Sequence, residues 1–118
     1  MLPDLSANQV FACYEFMRTM PPFCHYKMPH GDEIEFQVVK DRRLHGWHKA
    51  TDSGKHILAI SKNSIGHTGS LIFYMAHEMI HLVQAERGTH TSADHNAEFR
   101  KIAKLVCRLN GFDPKVFV

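Results

Sequence analysis

Apolar positions recur at three- and four-residue steps near both ends of the chain and run closer together between them. Ala7, Val10, Phe11, Tyr14 and Met17 mark one face of a helix, with Ser6 and Gln9 at capping-box spacing and Pro21 and Pro22 ending it. Residues 23–33 mix aromatics with Pro29 and Gly31 and predict a loop entering a strand at Ile34–Val39. "LHGWHKA" and "KHILAISKN" flank the turn-rich "TDSG", which predicts a hairpin and brings the expected strands to about three. "NSIGHTGS" breaks the pattern, and a long helix is predicted from Ser70 to Arg87 with Gly88 as its stop. After the polar stretch "THTSADH", a last helix from Asn96 to Asn110 places Phe99, Ile102, Ala103, Val106 and Leu109 on one face and ends at Gly111. This order predicts one α+β domain over residues 1–118, with three main helices packed on one side of a small antiparallel three-stranded sheet.

The long helix is the unusual element. Leu71, Ile72, Phe73, Met75, Ala76, Met79, Ile80, Leu82 and Val83 cover nearly its whole circumference, which predicts a central position in the fold. Yet "HEMIH" sets His77, Glu78 and His81 in the middle of it. Buried without partners, each such polar group costs on the order of 2–7 kcal/mol. Residues four apart share a helix face, so His77 and His81 can aim two ring nitrogens at one metal ion. Glu78, rotated by one position, can reach a water on that metal without ligating it, the arrangement of the zinc-hydrolase motif HExxH.

A catalytic zinc site needs a third protein ligand. Gln84 and Arg87 stand where the metzincin pattern has Gly and His, so that route is closed. Glu98 follows closely after the motif. His95 is better placed, at the mouth of the last helix after a loop long enough to fold that helix back across the motif; His90 and Asp94 are further candidates.

"HEMIH" followed after thirteen residues by "HNAEF" resembles the SprT-like zinc metalloproteases, the family that includes the Spartan protease, with HExxH and then a histidine opening an HGxxF-type segment. The likeness is specific from about Leu71 to Leu109 and architectural upstream. It implies a zincin-like minimal metalloprotease domain with HExxH on the central helix. One zinc ion would be held by His77, His81 and His95, with Glu78 as catalytic base and Phe99 packed behind the third ligand. It further implies a zinc-dependent endopeptidase whose substrates include DNA-associated or DNA-crosslinked proteins. Asn96 stands where the family has Gly, a change that suits a cap or left-handed position. No four-cysteine zinc ribbon or basic tail of the kind many relatives use with DNA accompanies the motif, so the resemblance is to a minimal form.

In zinc proteases of this shape an edge strand beside the cleft pairs with an extended peptide, which gives low sequence specificity; the segment around "HILAIS" or its partner is the candidate. Tyr74, His48 and His90 are candidate donors to the oxyanion. The alternative reading is a non-catalytic module in which zinc staples the helices and basic surfaces bind nucleic acid or a protein partner. Four protein ligands would favour the staple, three with an open position hydrolysis.

Composition narrows this little. At 118 residues and 44% hydrophobic the chain suffices for one core, and a net charge of +2 permits nucleic-acid affinity without demanding it. Lys40, Arg42, Arg43 and Lys49 around Trp47 could hold single-stranded nucleic acid, although a solvated hairpin with Trp47 in the core is the simpler expectation. Arg100, Lys104 and Arg108 form a basic stripe of the kind common on amphipathic helices. Ten histidines are more than one site needs. Cys13, Cys24 and Cys107 show no CxxC pairing and are expected to be reduced, structural thiols. "MLPDLSANQ" lacks the features of a secretion signal, and no apolar run approaches the ~20 residues of a membrane span, so an intracellular, cytoplasmic setting is expected.

Overall fold

The computed structural model describes residues 5–64, 68–91 and 93–117. Helix α1 spans Ala7–Arg18 and begins with the expected box: the Ser6 hydroxyl accepts from the Gln9 amide at 3.3 Å, and the Gln9 side chain accepts from the Ser6 amide at 2.8 Å. Its buried face is Val10, Tyr14 and Met17. The segment after it is strapped back onto the helix: the Tyr14 hydroxyl donates to the Pro29 carbonyl at 2.6 Å, and the Gly31 amide donates to Glu15 at 2.6 Å. Short 3-10 turns at Phe23–His25 and Gly31–Glu33 complete this loop.

Strands β1 (Ile34–Val39), β2 (Gly46–Ala50) and β3 (His56–Ser61) form one sheet in the order β1-β3-β2. The hairpin of β2 and β3 is present and antiparallel, but β1 runs parallel to β3, so the sheet is mixed and the antiparallel expectation is corrected. The chain leaves β1, crosses the end of the β3 position and returns through the hairpin into the middle. Ser61, the last residue of β3, holds that crossing. Its hydroxyl donates to the Asp41 carbonyl at 2.7 Å and accepts from the Asp41 amide at 3.1 Å, and its amide donates to the His45 carbonyl at 2.8 Å. Two-sided pairing explains why β3 is buried throughout except for half-buried Ile57.

Register defines the faces of the sheet. Phe36, Leu58 and His48 form one row and Gln37, Ala59 and Trp47 the next, so the two rows point to opposite sides. The first row faces the helices: α1 lies against β1, and α2 (Thr68–Arg87) lies against β2 and β3. Trp47, on the other face, is half-buried and lies outside the core cluster, and the surrounding Lys40, Arg42, Arg43 and Lys49 are exposed. The interruption expected before α2 falls partly on residues 65–67, outside the described residues.

Helix α2 is central, as its apolar circumference predicts. Met75, Ala76, Met79, Ile80, Leu82 and Val83 are fully buried between α1, the sheet and α3 (Ala97–Asn110). Asn96 caps α3 by accepting from the Phe99 amide at 3.0 Å, and Gly111 ends it in the left-handed conformation at φ 73°. Phe99, Ile102, Ala103 and Val106 are buried as expected, while Leu109 is exposed. A short helix α4 (Pro114–Phe117) follows, where Phe112 and Phe117 close on Phe73 with ring centroids 5.2 and 5.1 Å away. All three cysteines are free: Cys13 is half-buried, Cys24 exposed and Cys107 buried. Among the described residues, no helix is long and apolar enough to cross a membrane.

One glycine joins the sheet to the motif helix. A Cβ at Gly46 would stand 2.6 Å from the Ala59 carbonyl oxygen and 3.4 Å from the Glu78 side chain. Gly46→Ala is therefore expected to destabilise the protein by about 1–3 kcal/mol, as overpacking does. A urea unfolding midpoint equal to that of the parent would refute this close approach.

Candidate metal centre

His77 and His81 lie one turn apart on α2, and the loop after Gly88 carries His95 back to them. One ligating nitrogen from each of the three lies within 4.8 Å of the others. The rings make a compact group, with centroids 5.2 Å apart for His77 and His81, 4.9 Å for His77 and His95, and 5.4 Å for His81 and His95. Phe99, two residues into α3, stacks on His95 at 4.1 Å with the planes only 6° apart. It fixes the ring plane of the one member that comes from a loop.

The donor set suits a divalent cation of the zinc type. His77 Nδ1 lies 3.3 Å from the Phe117 carbonyl oxygen, so a proton on Nδ1 leaves Nε2 as the ligating atom. His95 Nε2 is buried with no hydrogen-bond partner, an expensive state for a polar atom unless something occupies the point it faces. Burial, followed by the neighbouring His77, lowers the His81 pKa from 6.5 to about 4; burial, followed by His95, lowers that of His77. Both rings are thus held neutral, the form that binds metal.

Glu78 is 5% exposed, between the triad and Gly46 of β2. Burial, reinforced by the charge of Asp94, raises its pKa from 4.5 to about 8. A divalent cation beside it acts in the opposite direction and favours the carboxylate. Glu78 and the three histidines open into a cleft of about 460 Å³. One wall is the β2 end of the sheet from Arg43 to His48; others come from Tyr74 on α2 and Val116 and Phe117 of α4.

The remaining candidates separate clearly. His90 and Asp94 line the cleft but do not join the triad; the Asp94 carboxylate is 3.6 Å from His95 Nε2 and is largely exposed. Glu98 serves elsewhere, in a clasp between the ends of α2 and α3. Gln84, fully buried, donates to Asn96 Oδ1 at 2.8 Å and to Glu98 Oε1 at 3.0 Å, and the Thr89 hydroxyl donates to the same Glu98 oxygen. Those bonds, from Thr89 first, hold the Glu98 carboxyl below its ordinary pKa. Asn96 Nδ2 donates to the Thr89 carbonyl at 3.2 Å, which closes the loop that presents His95. Tyr74, His48 and His90 all line the cleft, joined by His45, which stacks on Tyr74 at 4.3 Å. β3 is the central strand and has no free edge; its partner β2 is the edge strand on the cleft side.

Sequence reasoning missed the clasp and α4. Asp113 and Pro114 carry a helix-start signal, and the Asp113 carboxylate accepts from the Lys115 amide at 2.9 Å, but so short a helix has no periodicity to detect. No protein-family model matches the chain, and no curated protein sequence matches it significantly.

In the metal-free protein these groups make stability depend on pH. His48 and His81 have pKa values lowered from 6.5 to about 4, His48 chiefly by burial, so the stability they allow above pH 6.5 is lost as pH falls through 4. Glu78 opposes this, because its raised pKa contributes stability below pH 4.5 that disappears as pH rises through 8. Removing that opposition in Glu78→Gln should leave a metal-free protein whose urea midpoint falls steadily between pH 6.5 and 4. A flat profile would contradict the burial of the rings.

Proposed function

We propose that the protein is a zinc-dependent endopeptidase of the SprT-like type, acting on extended polypeptide segments with low sequence preference. The observation that carries this reading is the convergence of His77, His81 and His95 at the floor of an open cleft with Glu78 beside them. Zinc, when bound, supplies a Lewis acid that acidifies a water and polarises a peptide carbonyl. Glu78 takes the proton from the attacking water as the new C–O bond forms and returns it to the leaving nitrogen as the C–N bond breaks. The buried position of the carboxyl suits it to hold that proton between the two steps. β2 offers its unpaired backbone edge to a substrate in extended conformation, so main-chain groups rather than side chains dominate recognition.

A stapling role would call for a fourth protein ligand, and the cluster found among the described residues has three. The exposed cations Arg100, Lys104 and Arg108 on α3 favour substrates held on DNA over free proteins, as a weak electrostatic bias.

Two variants test the assignment. Glu78→Gln is expected to keep stoichiometric zinc by elemental analysis and to lose at least about 100-fold in cleavage of an unfolded protein. His95→Ala is expected to lose zinc and cleavage together. Cleavage by Glu78→Gln at the parental rate would remove Glu78 from the mechanism, and full zinc retention by His95→Ala would remove His95 from the metal site.

A further inference from the structure

A second histidine system reaches the same cleft from the sheet. His48 on β2 and His56 on β3 both point to the helical side, and His48 Nε2 lies 2.9 Å from His56 Nδ1. His56 Nε2 lies in turn 3.2 Å from Glu86 Oε1 on α2. His56 is 6% exposed, whereas the Glu86 side chain is 39% exposed and faces solvent. The three groups run from the protein surface to the cleft wall, and none belongs to the metal triad.

The protons in this chain can be placed by elimination. A carboxylate only accepts, so the proton between Glu86 and His56 sits on His56 Nε2. With no second proton on His56, its Nδ1 keeps a lone pair, and the proton in the next bond belongs to His48 Nε2. Burial, with the neighbouring His56 as the next cause, keeps His48 uncharged by lowering its pKa to about 4. The ring nitrogen of His48 left over is Nδ1, an acceptor on a residue that lines the cleft. In this tautomer His48 is not an oxyanion donor, because an unprotonated nitrogen cannot donate to a developing negative charge.

We propose that His48, fixed in its Nε2–H tautomer by His56 and Glu86, accepts a hydrogen bond at Nδ1 from a backbone N–H of an extended peptide lying in the cleft. His56 and Glu86 are positioning residues: they touch no substrate and act by denying His48 its other tautomer. Peptide N–H groups are common to every sequence, so the contact orients the chain beside Glu78 without selecting side chains. It rests on the reading of the cleft as a peptide-hydrolysing site and adds a binding role for the sheet wall.

The test uses the full chain, loaded with zinc, and has two readouts independent of turnover. Nitrogen-15 NMR of the labelled imidazoles at neutral pH should show His48 protonated on Nε2 and bare on Nδ1, with mixed tautomers in His56→Phe. In the Glu78→Gln background, an acetylated alanine-serine octapeptide and its singly N-methylated versions are titrated by the same spectra. Methylation at one peptide nitrogen should weaken binding about fivefold, the worth of one hydrogen bond, and this difference should vanish in His48→Phe. A proton on His48 Nδ1, no binding of the octapeptide, or the same methylation profile in His48→Phe would each overturn the proposal. A zinc-loaded parent that binds the peptide as described but never cleaves it would sink the protease reading and leave this contact standing.

Discussion

A polar atom taken out of water must find a partner inside the protein or cost the fold one to several kcal/mol. Helix α2 accepts that constraint repeatedly, burying Glu78, His81 and Gln84 in a segment otherwise made of Met, Ile, Leu and Val. Much of the surrounding architecture meets these demands. Asn96 and Glu98 come back from α3 for Gln84, the α4 carbonyl of Phe117 comes back for His77, and the loop between brings His95 beside His81. Two buried side-chain atoms are left without a hydrogen-bond partner among the described residues, Gln84 Oε1 and His95 Nε2. The second belongs to a ring grouped with the other two imidazoles, where a cation would satisfy it.

The pairing of α2 with α3 is therefore both packing and site assembly. Phe99 belongs to the core and is also the surface on which His95 lies flat. Asn96 starts α3 and at the same time holds Gln84 and the Thr89 carbonyl, so the residue that ends the loop also fixes its span. A side chain on a loop gains precision this way, because Thr89 before it and Asn96 after it are bound to the flanking helices.

Much of this was legible in the chain. The capping box at Ser6, the continuous apolar circumference of α2, the amphipathic face of α3 and the Gly111 stop are local patterns, and local patterns survive into the fold. HExxH spacing is legible for the same reason, since the geometry of one helix turn decides it. Placing His95 needs more, the path of a loop that folds back, and the structure groups its ring with those of His77 and His81. Strand order was not legible, because a short connection between consecutive strands says nothing about a third strand entering between them. One hint existed: "HILAIS" is nearly unbroken apolar sequence, as a strand covered on both faces requires, whereas "IEFQVV" alternates. The His48, His56 and Glu86 chain was invisible because its members lie on three elements and meet only through the sheet register.

The Phe117 carbonyl that orients His77 belongs to α4, and Val116 beside it helps to wall the cleft, so a shift of these four residues would turn an imidazole and narrow the entrance together. A binder that grips this short helix would act on the cleft without entering it.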